Sequence, residues 1–178
     1  MLLTVGHSNR PLEEFLALLR AHGVERLVDI RTIPRSRHNP QFNRESLPAA
    51  LAAEGIAYAH RQGLGGLRRP RADSVNRGWR NAGFRGFADY MATAEFASEL
   101  AALEDEMRET RTAIMCAEAV PWRCHRSLIS DALVVGGKAV EHIMSKERRH
   151  LHKLTPFARV EGGRITYPAE EPGLPEIG

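Results

Sequence analysis

The sequence predicts an α/β fold: a mostly parallel sheet of about five strands with helices on both faces, plus a small C-terminal β-hairpin. Short apolar runs typical of buried strands alternate along most of the chain with amphipathic segments of helical spacing. Near the end, two short β-patterned stretches flank Gly162-Gly163, a pair that favours a tight turn. Strands joined through helices pair in parallel, and such a sheet needs helices on both faces.

The first part of the chain contains three predicted strands and two predicted helices. An apolar run ends at Gly6, and leucines at helical spacing follow Pro11, a residue suited to a first helical turn. Gly23 and Gly55 each close a helix and precede a strand. The predicted strands are 2–5, 26–31 and 56–60, and the predicted helices are 11–22 and 46–54.

A long segment rich in glycine and arginine follows the third strand. Residues 61–85 contain seven arginines and one aspartate, a net charge of +6 in a chain whose total is +3. A loop of this length inside a compact domain is uncommon and usually functional. Its charge predicts that an anionic partner is drawn to this region. The interleaved Trp79, Phe84 and Phe87 are compatible with nucleic-acid binding or with anchoring the loop on the core.

Regular structure resumes after this loop. The predicted helices are 86–91, 94–109 and 125–135, the predicted strands are 112–116 and 138–144, and the hairpin is 157–167. The chain is therefore expected to form a single α/β domain at 1–155, with the basic loop at 61–85, and a C-terminal hairpin and tail at 156–178. His142, His150 and His152 lie among basic residues, which predicts a solvated face.

Length and composition narrow the class of protein. A chain of 178 residues with 43% apolar content can bury one substantial core. No apolar run reaches about 18 residues and no signal peptide is evident, so we expect a cytoplasmic protein without membrane contact. Two cysteines form no disulfide framework and are expected to be free thiols, metal ligands or a redox pair. The sequence indicates no oligomeric state.

Polar side chains cluster where the predicted strands end. The carboxyl ends of parallel strands lie at one edge of a sheet, where α/β proteins bind ligands. One pocket is therefore expected to hold His7, Asp29, Arg31, Cys116, Glu118, Cys124 and Arg126. The candidates for catalysis are His7, Asp29, Glu118 and Cys124. The candidates for binding a substrate or anion are Ser8, Arg10, Arg31, His125 and Arg126.

The segment from 115 to 130 carries the densest chemistry. Cys124-His125-Arg126 stands at a predicted helix start, where free N–H groups and the helix dipole favour an anion. The alternative is that Arg126 pairs with a nearby carboxylate as an internal brace. Neighbouring cations predict a lowered pKa for Cys124, and hence faster alkylation than at Cys116, for which a buried core position is the alternative.

Metal and nucleotide sites receive little support from spacing. Cys116, Cys124 and His125, with His7 or His60, are donors that soft metals accept, but neither Cys-x-x-Cys nor His-x-x-x-His occurs near them. No metal ligand is therefore assigned. A glycine loop of the kind that binds a nucleotide triphosphate or a dinucleotide is also missing, and the cofactor is unknown.

Several motifs in order resemble the bacterial family catalogued as domain of unknown function 488. They are Thr4-Val-Gly-His-Ser8, Asp29-x-Arg31-x-x-Pro34-x-Ser36, Leu64-Gly-Gly66, Gly83-Phe-Arg-Gly-Phe-Ala-Asp-Tyr-Met91, Cys116-x-Glu118, Cys124-His-Arg126 and His142-Ile143. The resemblance spans residues 3 to 155. It implies an α/β domain with a shared polar site and no established reaction.

The sequence favours an enzyme that acts on a phosphate-bearing substrate, a nucleotide or nucleic acid, in a pocket at the strand ends. One alternative is a non-catalytic nucleic-acid-binding or regulatory module. A second is a thiol- or metal-dependent site built on Cys116 and Cys124. Glu118 separates the first two hypotheses, because an enzyme needs this carboxylate whereas a phosphate-binding module binds better without its negative charge.

Overall fold

The computed structural model describes residues 1–169 and contains five helices and two sheets. The strands are β1 Leu2–Gly6, β2 Arg26–Asp29, β3 Ala57–His60, β4 Thr112–Cys116, β5 Val140–Ile143, β6 Arg149–Leu151, β7 Arg159–Glu161 and β8 Arg164–Thr166. The helices are α1 Leu12–Ala21, α2 Leu47–Ala53, α3 Ala82–Tyr90, α4 Ala94–Glu109 and α5 Arg126–Val135. Short 3₁₀ turns lie at Pro40–Phe42, Gln62–Leu64 and Pro121–Arg123. None of the helices in residues 1–169 is long and apolar enough to cross a membrane.

The main sheet has the order β3-β2-β4-β1-β5-β6. Its first five strands are parallel, β6 is antiparallel to β5, and β7 and β8 form a separate antiparallel hairpin. The predicted α/β class, parallel sheet and C-terminal hairpin are confirmed. The sixth strand was not predicted, because Arg149–Leu151 is a three-residue edge strand with every side chain exposed and no apolar pattern.

Two hydrophobic cores cover the two faces of the sheet. On one face, Phe15 and Leu19 of α1 and Leu51 of α2 pack with buried strand residues. On the other, Phe87 of α3, Leu103 of α4 and side chains of α5 pack with the opposite side of the strands. The predicted helical cover on both faces is therefore confirmed.

The two faces set the position of a crevice. Strands β2 and β4 are neighbours, yet the chain leaves β2 for α2 on one face and leaves β4 for α5 on the other. Connections that diverge from adjacent parallel strands leave a gap beyond their carboxyl ends, where α/β proteins hold ligands.

The basic segment is shorter and more ordered than predicted. Helix α3 begins at Ala82 because the Asn81 side chain accepts hydrogen bonds from the first backbone N–H groups of the helix, so the predicted start at 86 is four residues late. Trp79 packs edge-on against Phe84 and Phe157. This residue therefore anchors the segment on the core, one of the two roles that its sequence position left open.

A buried hydrogen-bonded chain connects β5 and β6 to α5. His142 lies 2.7 Å from Thr4 Oγ1 and 2.9 Å from His152, whose other ring nitrogen lies 2.8 Å from Asp131. Asp131 also accepts a hydrogen bond from Tyr167 Oη of the C-terminal segment, whose residues 170–178 lie outside the described residues. The prediction of a solvated histidine face is wrong for His142 and His152, because the unpredicted β6 pairs with β5 beside His142 and the His152 side chain lies against the buried Asp131.

The burial of His142 predicts a pH dependence of stability. Burial, with His152, Arg126 and His150 nearby, lowers the pKa of His142 from 6.5 to about 3. The unfolded chain therefore binds a proton that the folded chain does not, and stability falls as pH drops from 6.5 towards 3, by about 1.4 kcal/mol per unit. Urea unfolding at several pH values should show a shallower slope for His142→Gln than for the wild type. The exposed His38→Gln is the control, and equal slopes would contradict the assignment.

Candidate functional site

A cavity of about 380 Å³ opens between the carboxyl ends of β2 and β4. It is lined by residues that follow these strands, by the segment after β3 and by the start of α3. The lining residues are Arg31, Thr32, Ile33, Gly66, Leu67, Asn81, Gly83, Phe84, Cys116, Ala117, Glu118, Arg123, Cys124 and His125. The divergence of the two connections thus produces a space suited in size to a small molecule.

Two thiols and an imidazole meet at this cavity. Cys116 is the last residue of β4, and Cys124 and His125 directly precede α5. The two Sγ atoms and a ring nitrogen of His125 all lie within 4.8 Å of one another. His125 Nε2 donates to the carbonyl oxygen of Leu64 at 3.0 Å, and its Nδ1 lies 3.7 Å from Cys124 Sγ. In the neutral ring, the lone pair on Nδ1 therefore faces the sulfur atoms.

The two thiols have opposite acidities. A hydrogen bond from Cys124, together with the nearby His125 ring and Arg126 guanidinium, lowers the pKa of the Cys116 thiol well below its usual range against the opposing effect of burial. The same contact with Cys116, together with burial, raises the pKa of Cys124. The lowered pKa is that of Cys116 and not, as predicted, that of Cys124, which is the more buried of the two thiols.

This assignment reverses the expected alkylation order. In metal-free, reduced protein near neutral pH, Cys116 should react with iodoacetamide about ten times faster than Cys124 or more, because an ordinary thiol is only a few per cent thiolate there. Peptide mass spectrometry of time points measures both rates. Faster labelling of Cys124 would contradict the assignment, and the Cys116→Ser variant shows the rate of Cys124 alone.

His7, Asp29 and Arg31 form a buried cluster behind the cavity wall. Asp29 is fully buried and accepts two hydrogen bonds from the Arg31 guanidinium, at 2.9 and 2.6 Å. Arg31 also donates to His7 Nε2 at 3.2 Å, while His7 Nδ1 bonds to the Ser8 carbonyl oxygen at 2.6 Å. Burial lowers the pKa of His7. Of these predicted site residues, only Arg31 lines the cavity, and its charge is already neutralised by Asp29.

The side chains of Arg10 and Arg126 bind backbone carbonyl oxygens and do not line the cavity. The Arg126 guanidinium is buried and donates to the carbonyl oxygens of Val5, Glu118 and Ala119, at 3.2, 2.6 and 2.8 Å. Arg10 donates to the carbonyl oxygen of Gly6. Arg126 is thus an internal brace, the alternative that its sequence position left open, although its partners are carbonyl groups and not a carboxylate. Ser8, whose φ is 53°, does not line the cavity either.

Gly6 explains why the loop after β4 can approach β1 so closely. A Cβ atom at this position would lie 1.9 Å from the carbonyl oxygen of Glu118. Only glycine leaves room for that backbone, which in turn presents its carbonyl oxygen to Arg126.

Glu118 and Arg123 are the charged groups that the cavity has in addition to Arg31. Glu118 is half-buried and accepts a hydrogen bond from the backbone N–H of Val120. The guanidinium of Arg123 is exposed and has no hydrogen-bond or ion-pair partner among residues 1–169. Arg123 directly precedes the segment whose helix start was predicted to favour an anion, and its side chain lines the cavity.

Other lining residues carry weaker sequence signals. Asn81 is a residue type that favours helix starts. Gly66 belongs to the Leu64-Gly-Gly66 motif, one of those that carry the family resemblance. Phe84 and Ile33 have no signal that separates a cavity wall from a core position.

The arginines of the basic segment are largely engaged within the protein. Arg61 forms ion pairs with two glutamates of α4. Arg68 lies over the ring of Tyr90, 3.6 Å from its centroid, and Arg71 pairs with the exposed Asp73. Of these contacts, only the Arg61 ion pairs bring in carboxylates from outside the segment, so these two contacts reduce the +6 that the segment offers to a partner.

Comparison with known proteins identifies one match. A family model described as domain of unknown function DUF488 matches residues 11–133, more than half of the chain, and covers the cavity from Arg31 to His125. No curated protein and no solved structure matches the chain.

Proposed function

We propose that this chain, which belongs to the DUF488 family, is an enzyme that binds a small phosphate-bearing substrate in the cavity between β2 and β4. One observation carries the proposal. Groups for nucleophilic or acid–base chemistry, Cys116, Cys124, His125 and Glu118, surround the same small cavity as Arg123, whose cation has no partner within residues 1–169. A catalytic pocket needs both a group that holds the substrate and groups that react with it.

Arg123 is the residue assigned to the substrate's phosphate. It lies at the end of the 3₁₀ turn that precedes α5, and its guanidinium is not engaged elsewhere among the described residues. Arg10, Arg31 and Arg126 hold internal partners and support the walls. Glu118, at the same cavity, is the group assigned to proton transfer.

Direct binding measurements test the assignment of Arg123. Inorganic phosphate and nucleoside monophosphates are titrated into the full chain by calorimetry, and Arg123→Met should weaken binding about tenfold or more, as expected for a lost charge-assisted hydrogen bond. Arg37→Met, which removes an exposed arginine outside the cavity, is the matched control. Equal affinities for both variants would refute the role of Arg123.

A nucleic-acid-binding module is the second candidate, favoured by the exposed Arg69 and Arg80 of the basic segment. Oligonucleotide affinity should then fall steeply with salt, and replacing both arginines by alanine should flatten the salt dependence by about 0.7–0.9 per lost phosphate contact. Glu118→Gln separates the two functions. It should abolish turnover and preserve binding in an enzyme, and should bind nucleic acid at least as tightly in a module.

A further inference from the structure

We propose that Cys116, Cys124 and His125 bind one Zn²⁺ ion, with a fourth coordination position open to the cavity. The proposal deepens the proposed function, on which it rests for the role of this cavity, by naming the cofactor. The end of β4 supplies one thiol, and the residues directly before α5 supply the second thiol and the imidazole. Because the donors come from two segments, they form neither a Cys-x-x-Cys nor a His-x-x-x-His motif.

The distances between the donor atoms fit such an ion. In a tetrahedral zinc site with ordinary Zn–S and Zn–N bonds, donor atoms lie about 3.5–3.8 Å apart. Cys124 Sγ and His125 Nδ1 are already 3.7 Å apart. All three donors lie within 4.8 Å of one another, so an inward movement of about 1 Å or less completes the site.

The histidine ring is held as zinc-binding histidines usually are. Its Nε2–H donates to the carbonyl oxygen of Leu64, which leaves Nδ1 as the free donor towards the thiols. The ring of Phe87 packs at 5.1 Å between centroids. On another side, a Cβ atom added to Gly66 would lie 2.5 Å from His125 Nδ1, so the backbone of Gly66 lies directly against the metal-facing nitrogen.

The donor set selects the metal and its role. Two thiolates and an imidazole are soft ligands that suit Zn²⁺ and do not suit Mg²⁺ or Ca²⁺, which take oxygen ligands. Within residues 1–169, the cluster has these three ligands and no fourth ligand from a cysteine, histidine or carboxylate side chain. Three protein ligands with an open position are typical of catalytic zinc, whereas structural zinc has four. Cys116 and His125 line the cavity, so the open position faces the substrate space.

Metal binding is tested on the full chain without any substrate. Reduced, chelator-treated protein is titrated with Zn²⁺ against a chromophoric chelator, and one equivalent is expected to bind. Co²⁺ in place of Zn²⁺ should give thiolate-to-cobalt charge-transfer bands and the intense visible bands of a tetrahedral site. Cys116→Ser, Cys124→Ser and His125→Asn should each weaken zinc binding by about a hundredfold or more, because each removes a ligand.

Gly66→Ala provides the sharper variant because it leaves all three ligands in place. Its added methyl group pushes against His125 Nδ1 and should weaken zinc binding by about 10–100-fold. Gly136→Ala is the matched control, since a Cβ there meets nothing closer than 3.4 Å. Circular dichroism confirms that each compared variant is folded.

The outcomes separate this proposal from the proposed function. Failure to bind zinc, cobalt spectra without thiolate bands, or wild-type affinity in Cys116→Ser and Gly66→Ala would each overturn the zinc site. Phosphate binding that depends on Arg123 is measured in chelator-treated protein, so it can survive the loss of the zinc proposal. Conversely, a zinc site with no Arg123-dependent binding would leave the metal and remove the phosphate substrate.

Discussion

Replacement of Asp29 by asparagine is expected to lower the free energy of unfolding by about 3–5 kcal/mol. Asp29 is completely buried, and its carboxylate accepts hydrogen bonds from the backbone and guanidinium of Arg31 and from the Tyr58 hydroxyl. Asparagine has nearly the same shape but leaves the buried guanidinium without a counter-charge. Urea denaturation measures this loss of stability.

A double-mutant cycle shows whether the loss comes from the unpaired cation. Arg31→Met removes the guanidinium, so the Asp29→Asn/Arg31→Met protein should be clearly more stable than the sum of the two single losses predicts. Asp73→Asn breaks an ion pair between fully exposed side chains and should change stability little. Additive losses in the cycle would mean that the pair does not act as a unit.

Replacement of Arg126 by methionine should be about as damaging, with a loss of about 3–5 kcal/mol. The guanidinium is 1% exposed and binds the carbonyl oxygens of Val5, Glu118 and Ala119. Methionine fills much of the volume but leaves these carbonyl oxygens without a hydrogen-bond donor. Each unsatisfied acceptor costs about 1–3 kcal/mol, and relaxation of the surrounding structure offsets part of this cost. The loop after β4 would also lose its attachment to β1.

Arg123→Met is the matched control, because it removes the same side chain three residues away at an exposed position. Its stability should remain near that of the wild type, while Arg126→Met unfolds at a much lower urea concentration. Similar stability of the two variants would show that Arg126 does not brace the loop. Arg126→Lys, which keeps the charge but cannot reach all three carbonyl groups, should fall between them.

Most secondary structure could be predicted because it depends on local patterns. Helix α4 and strand β4 have the predicted bounds, 94–109 and 112–116, since their apolar spacing and flanking residues are clear. The exposed edge strand β6 escaped prediction because it buries none of its own side chains. The burial of His142 was missed for the same reason, since β6 pairs with β5 beside His142, and His152, the residue after β6, bonds to its ring.

The sequence predicts the edge of the sheet at which the cavity lies, but it does not predict which side chains line the cavity and which bind other protein groups. Arg31, Cys116, Glu118, Cys124 and His125 line one cavity, as the strand-end argument requires. His7, Asp29 and Arg126 lie behind its wall, where they bind protein groups. Sequence spacing places a residue at an edge of the sheet but does not tell whether its side chain turns to the cavity or to the interior.

The amino-acid sequence by itself determined the layered α/β fold and the edge of the sheet where the chemistry lies, because periodicity and the order of strands and helices are properties of neighbouring residues. Only the tertiary structure decided which thiol is acidic, which cavity arginine has no partner in the described part of the chain, and which donors converge. Those outcomes depend on contacts between distant segments, such as Leu64 with His125 and Val5 with Arg126. A hydrogen bond acts over about 3 Å, so the partner of a side chain is known only when the chain is folded.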